Sequence, residues 1–217
     1  MLNQSQADAP DAVQFFGECH PLLEQLGTAD GLFTLSGAAG ALRLPKVETL
    51  SDLSQFLDVY LTQILLSLEL PAICLAHHHA SRNEARELVA LDLEIAGQRQ
   101  HRDFSSASRR VGRSQLQRLR PLRDVRVVQR YLHAVEWEQA QAWHTLVYGL
   151  TLAVYSLPVR QGLLTYARQT MKGFIQAAAR SLRLSAVEFG DLLERRCSGW
   201  PEKLEAIVVD PLERGFR

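Results

Sequence analysis

Apolar side chains recur along this chain at three- and four-residue intervals, and nowhere do they alternate with polar ones over a strand's length. The pattern is that of amphipathic helices. Its clearest stripe is Leu53, Phe56, Leu57, Tyr60, Leu61, Ile64 and Leu65, which predicts a helix over Ser51–Leu68 with Thr49 or Ser51 as its cap. Pro71 is expected to end or kink that segment, and Ala72–His79 to begin another. Asn83 is a candidate cap for Glu84–Gln98, in which Leu88, Leu91 and Ile95 line up. Ser105–Leu119 reads as a basic amphipathic helix stopped by Pro121, and Val125–Ala134 as a short helix. Gln139–Leu157 reads as a long apolar helix ended by Pro158. Val159–Leu182 follows, with Gly173, Ala177, Ala178 and Ala179 small enough for close helix packing. Ser185, with Glu188 three residues on, makes a capping box for Ala186–Arg196.

The N-terminal part is less regular. Met1–Asp11 is a polar tail expected to be disordered, and Ala12–Leu26 is a short helix candidate. Gly27, Gly31, Gly37 and Gly40 predict a turn-rich stretch over Gly27–Gly40. Together these elements predict an all-α fold: one bundle-like domain over residues 12–217, with about eight to ten helices. The segment Gln139–Leu182 carries more apolar surface than one helix pair buries, which predicts a homodimer.

Charge changes this picture in one place. Lys and Arg balance Asp and Glu over the 217 residues, giving a formal net charge of zero, which argues against a generic nucleic-acid binder. Yet Arg99–Arg130 holds ten arginines against only Asp103 and Asp124. Three readings fit: a solvated helix face with local ion pairs, a docking surface for an acidic partner, or the contact helix of a nucleic-acid-binding regulator. Cys19, Cys74 and Cys197 form no C-x-x-C pair and no disulfide framework, which suits a reducing, cytosolic setting. Met1–Asp11 has no apolar core, so no signal peptide is expected there. Thr62, Gln63, Glu69 and Arg160 interrupt the longest apolar runs, so no membrane-spanning segment is expected either.

The candidate chemistry is thin. His77, His78 and His79 are consecutive, and consecutive helical residues point about 100° apart, so all three cannot face one metal ion. A plain polar helix end is the simpler reading; a metal-dependent helical enzyme is the alternative. His20 and His144 are isolated and read as hydrogen-bonded structural histidines, and Cys74 as a core residue. No G-x-S-x-G elbow and no G-x-x-x-x-G-K-[ST] phosphate loop is present. No catalytic residue, metal site or cofactor is assigned, and the chain is not expected to be an enzyme.

Three motifs resemble those of one family. Ser108-Arg109-Arg110-Val111-Gly112-Arg113 is similar to the S-R-x-x-G-r signature of UreF urease accessory proteins. His144-Thr145-Leu146-Val147-Tyr148-Gly149 resembles that family's H-x-x-x-x-G helix, and Gly31-Leu32-Phe33-Thr34-Leu35-Ser36 its G-x-F/Y-x-x-S segment. They occur in the family's order, in a resemblance running roughly from Cys19 to Ile207. The chain departs from it at Ala29-Asp30-Gly31 in place of P-x-G, at Ala38-Ala39-Gly40 in place of G-L-E, and near Arg183–Glu188 in place of P-L-x-Q-x-x-G-Q. On these residues the chain is identified as a divergent member. The resemblance implies a cytoplasmic, non-catalytic scaffold that dimerises, binds the accessory protein UreD/UreH, and recruits the GTPase UreG to pass nickel to apo-urease. From the charge balance and the interrupted apolar runs, no nucleic-acid or membrane partner is expected. The partner-binding residues the resemblance points to are Phe33, Ser36, Ser108, Arg109, Gly112, Arg113, His144, Tyr148 and Gly149.

Overall fold

The computed structural model describes residues 31–98 and 105–209. The tail Met1–Asp11, the candidate helix Ala12–Leu26, Cys19 and His20 lie outside these residues, as do positions 99–104 of the basic segment. Within them the fold is all-α. Helix α1 covers Gly31–Ala41, where the glycines predict turns instead. Leu35, Ala38 and Ala39 are buried along it, and that packing outweighs the weak helix propensity of glycine, about 1 kcal/mol per residue.

Helix α2 runs without a break over Leu50–Ser81. Thr49 caps it as expected: its hydroxyl accepts from the Asp52 N–H at 3.2 Å, and the Asp52 carboxylate accepts from the Thr49 N–H at 2.8 Å. Pro71 neither ends nor splits this helix. The preceding stretch Leu61–Glu69 is a π-helix, wider than an α-helix, with the Leu70 N–H bonded five residues back to Leu65. That wider turn accommodates a ring that an α-helical turn would clash with. By length and composition α2 could cross a membrane, contrary to expectation, but 67% of its apolar window is buried inside the chain. Its apolar side chains therefore pack against other helices of the bundle.

The remaining elements are α3 (Ala85–Gly97), α4 (Ser105–Arg118), α5 (Arg126–Glu136), α6 (His144–Val154), α7 (Val159–Ala179), α8 (Ala186–Cys197) and α9 (Trp200–Val208). Asn83 does not cap α3. It takes a left-handed turn (φ 58°), and the N-cap position falls to Glu84. The capping box of Ser185 and Glu188 on α8 forms as the spacing predicts. Helix α6 starts five residues later than the apolar run, because Glu138 and Ala142 are left-handed (φ 58° and 60°) and break the helical path. Helix α9 follows Gly199, left-handed at φ 71°, and buries Trp200, Leu204 and Ile207 at i, i+4 and i+7.

The core has two clusters. One joins α1, the first half of α2, α7, α8 and α9; there the Phe174 ring meets Phe56 and Tyr60 edge-on, at centroid distances of 5.5 and 4.8 Å. The other joins the second half of α2 to α3, α4, α5 and α6. Helices α2 and α6 contribute to both clusters, and they pack along each other more extensively than any other pair of elements.

Candidate functional site

The motif residues meet at α6. Ser108 and Gly112 are one turn apart and share a face of α4, so both look onto the start of α6. A Cβ on Gly112 would lie 1.9 Å from the Ala142 carbonyl oxygen and 2.8 Å from the His144 nitrogen, so only glycine admits this approach. Ser108 Oγ is 2.7 Å from His144 Nδ1 and also accepts from the His144 backbone N–H at 3.4 Å. His144 Nε2 is 2.6 Å from the Tyr166 hydroxyl on α7. All three side chains are buried. At 3.6 residues per turn, Gly149 lies about 140° around the helix from His144, so it faces α2. There a Cβ would meet the Ile73 carbonyl oxygen at 2.4 Å. Tyr148 lies about 40° from His144 and faces α7, where its hydroxyl donates to the Gly162 carbonyl at 3.1 Å. The motif spacings are thus those of a helix clasped by α4 and α7 on one side and α2 on the other.

Asp92 locks the segment leading into this joint. It is fully buried, and its carboxylate accepts from the Tyr131 hydroxyl (2.5 Å) and the backbone N–H groups of Gln141 (2.7 Å) and Ala142 (3.0 Å). Its own carbonyl accepts from the Trp143 indole at 3.0 Å. Burial pushes the carboxyl above its usual range, partly offset by hydrogen bonds from Tyr131 and the backbone of Gln141, Ala142 and Trp143. The same burial, with the Asp92 charge alongside, pushes the Tyr131 phenol well up. Sequence reasoning did not single out Asp92, Tyr131, Tyr166 or Gly162. A signal for Asp92 was present: it is an acid within the apolar stripe Leu88, Leu91, Ile95.

Of the nine positions to which the resemblance points, Ser108, Gly112, His144, Tyr148 and Gly149 are buried against the chain itself. Arg109 is half-buried; Nη1 donates to Gln141 Oε1 at 3.0 Å, and the guanidinium sits 5.9 Å from the Trp143 ring centroid. Arg113 is exposed. Ser36, half-buried on α1, accepts from the Val47 N–H at 3.1 Å, so it ties α1 to the irregular stretch before α2 and stands apart from the α6 joint. Phe33 falls within α1, and its side chain is outside the described residues. Removing one hydroxyl from the joint has a moderate expected effect: Tyr166→Phe leaves the packing and deletes one buried partner of His144, at a cost of about 1–2 kcal/mol in thermal or chemical melts.

The histidine run is occupied by the chain's own groups. Burial lowers the basicity of the half-buried His77, partly offset by the Leu157 backbone beside it. His79 Nδ1 lies 2.9 Å from Glu84 Oε2, while Arg82 Nε donates to Glu84 Oε1 at 2.8 Å; these two contacts hold the Glu84 carboxyl below its ordinary range. Among the described residues no three His, Cys, Asp or Glu side chains converge as a metal site. Cys74 is buried, its thiol pushed up to about 11 by burial. Arg120 pairs with Glu136 on the surface.

Geometry alone defines a class, an all-α bundle protein whose signature residues form the joint between its central helices. The comparisons name the family. A family model for UreF matches residues 47–195. The urease accessory protein UreF of Sporosarcina pasteurii is 23% identical over 133 residues, covering 61% of this chain and 66% of that protein. The chain thus spans just under two thirds of the length of the curated relative it matches. It belongs to the UreF family.

Proposed function

We propose that this chain is a urease accessory scaffold in the cytoplasm, which binds UreD/UreH, recruits the GTPase UreG, and so helps deliver nickel to apo-urease without catalysing a bond change itself. The observation that carries this reading is the UreF family match across residues 47–195, the stretch that contains the whole α4–α6–α7 joint. The joint supports it in physical terms. A scaffold must present a fixed surface to several partners, and a helix clasped through Gly112, Gly149 and Asp92 has little freedom to shift. On this reading Arg113, Arg109, Ser36 and Phe33 touch partners, while Ser108, Gly112, His144, Tyr148 and Gly149 shape the surface from beneath. The scaffold works as a homodimer, which sedimentation at micromolar concentration tests.

The direct experiment is co-purification with UreD/UreH and UreG, followed by urease activation in a host lacking its own UreF. The wild-type chain is expected to join the complex and restore activity. Arg113→Glu is the informative variant, because the side chain is exposed and reversal leaves the fold intact. It is expected to weaken association about tenfold, with an unchanged melting curve. Arg109→Glu is a poorer probe, since it also breaks the contacts to Gln141 and Trp143. A folded wild-type chain that neither co-purifies with these proteins nor restores urease would sink the proposal.

A further inference from the structure

The solvent face of α5 carries an organised stripe that the α6 joint does not use. Arg126, Arg130, His133 and Trp137 follow at i, i+4, i+7 and i+11, within about 60° of one another around the helix. All four are exposed, whereas Val127, Val128, Tyr131, Leu132, Ala134 and Val135 on the opposite face are buried. Trp137 is 67% exposed, the most exposed of the described tryptophans; Trp143 and Trp200 are 3% and 2% exposed. Its ring stacks on His133 at 4.8 Å and 27°, so it is held in one orientation. Just beyond it, the backbone is clamped: Glu138 is left-handed, and Gln141 and Ala142 are held by Asp92. Arg130 also lines an open cleft of about 720 Å3, with Ala85, Val89 and Ala134 as apolar lining and Glu84, Arg86 and Glu87 among its polar groups.

We propose that this α5 face, with its cleft, is a docking surface for an acidic protein segment that carries an apolar or aromatic side chain. Charge decides the occupant. Among the described residues Arg123, Arg126 and Arg130 have no ion-pair partner, while the nearby acids Glu84 and Glu136 are engaged by His79, Arg82 and Arg120. Asp124 and Glu138 lie near the stripe in sequence and Glu87 lines the cleft; none of the three forms an ion pair among the described residues. Carboxylates of the segment pair with Arg126 and Arg130, and its apolar side chain packs against the exposed Trp137 ring. A fixed aromatic next to arginines, with the supporting backbone already ordered, is the composition of an interface centre and not of a merely solvated helix face. The surface is separate from Arg113 and Ser36, so it goes beyond the urease reading.

The test uses the full chain and a fluorescent random copolymer of glutamate and tyrosine, with polyglutamate, a lysine–tyrosine copolymer and single-stranded poly(U) RNA as comparisons. The Glu–Tyr copolymer is expected to bind more tightly than polyglutamate and to protect Trp137 from acrylamide quenching, since the other two described tryptophans are already sealed. Arg126→Glu with Arg130→Glu is expected to weaken binding by about tenfold or more, and Trp137→Ala several-fold, with unchanged melting curves. Arg195→Glu, an exposed arginine on α8, leaves binding as it was. Should charge reversal loosen α5, the neutral pair Arg126→Gln and Arg130→Gln gives the same comparison. Equal binding by all variants, or no protection of Trp137 at saturation, overturns the proposal. Tighter binding to RNA, lost in the same variants, overturns it in favour of a nucleic-acid surface. No urease component enters this test, so its failure leaves the accessory role standing.

Discussion

Replacing Gly112 with alanine is expected to lower the melting temperature by about 6–12 °C, from a loss of about 3 kcal/mol. The added methyl would sit 1.9 Å from the Ala142 carbonyl oxygen, 2.9 Å from its carbon and 2.8 Å from the His144 nitrogen. All three are backbone atoms, so no flexible side chain can move aside. The backbone they belong to is also held from the far side, since Asp92 accepts from the Ala142 N–H and Ala142 is itself left-handed. Either α4 lifts from α6, which exposes Ser108 and strains its contact with His144, or the Asp92 contacts stretch. Gly149→Ala meets the same kind of obstacle on the other side of α6, at 2.4 Å from the Ile73 carbonyl oxygen. Gly37→Ala is the control. Nothing lies within 4 Å of its added methyl, so helix propensity alone acts, and a gain of about 0.5–1 kcal/mol is expected. Melts in which Gly112→Ala matches wild type would show that α4 and α6 are not packed this closely.

The contrast between Gly112 and Gly37 also marks what could be read from the chain beforehand. Caps were legible, because Thr49 with Asp52 and Ser185 with Glu188 act within four residues of sequence. The all-α class was legible from periodicity, and the positions of Ser108, Gly112, His144 and Gly149 from the family motifs. Other features depend on tertiary contacts that no local pattern reports. Helix α1 forms through its glycines because Leu35, Ala38 and Ala39 find a core to enter. Pro71 is absorbed because nine residues before it adopt the wider π-helical turn. The apolar run from Gln139 looks helical throughout, but its first residues give their N–H groups to Asp92, which is 49 and 50 positions away. Isolation in the sequence marks His144 as a structural histidine, and the hydrogen bonds of its ring bear that out, but only the fold places Ser108 and Tyr148 inside with it.

Asp92→Ala is the second change with a large expected effect, a loss of about 3 kcal/mol or more. The substitution strands the Tyr131 hydroxyl and the Ala142 N–H in a buried site and takes the partner from the half-buried Gln141 N–H, and each buried unpaired donor costs about 1–3 kcal/mol. It also frees the segment 138–142 from its left-handed turns, so α6 loses its fixed starting point. Asp92→Asn separates shape from charge. The amide keeps one acceptor oxygen and turns its NH2 toward donors, so a smaller loss is expected. The pH dependence of that pair of proteins has a definite sign. Burial raises the folded-state pKa of Asp92 above its unfolded value, so the folded state holds this proton more tightly. Its stabilising contribution is complete below the ordinary carboxylate range and is lost as pH rises through the raised value. The stability gap between wild type and Asp92→Asn should therefore be widest in acid, shrink as pH rises, and then stay constant toward neutrality. Asp52, Glu84 and Glu188 are shifted downward and act in the opposite sense, but they are common to both proteins and cancel in the difference. Denaturant melts at a series of pH values measure the gap directly. A gap that widens with rising pH would mean that the hydrogen bonds from Tyr131, Gln141 and Ala142 outweigh burial, and that Asp92 is held as a stabilised anion instead.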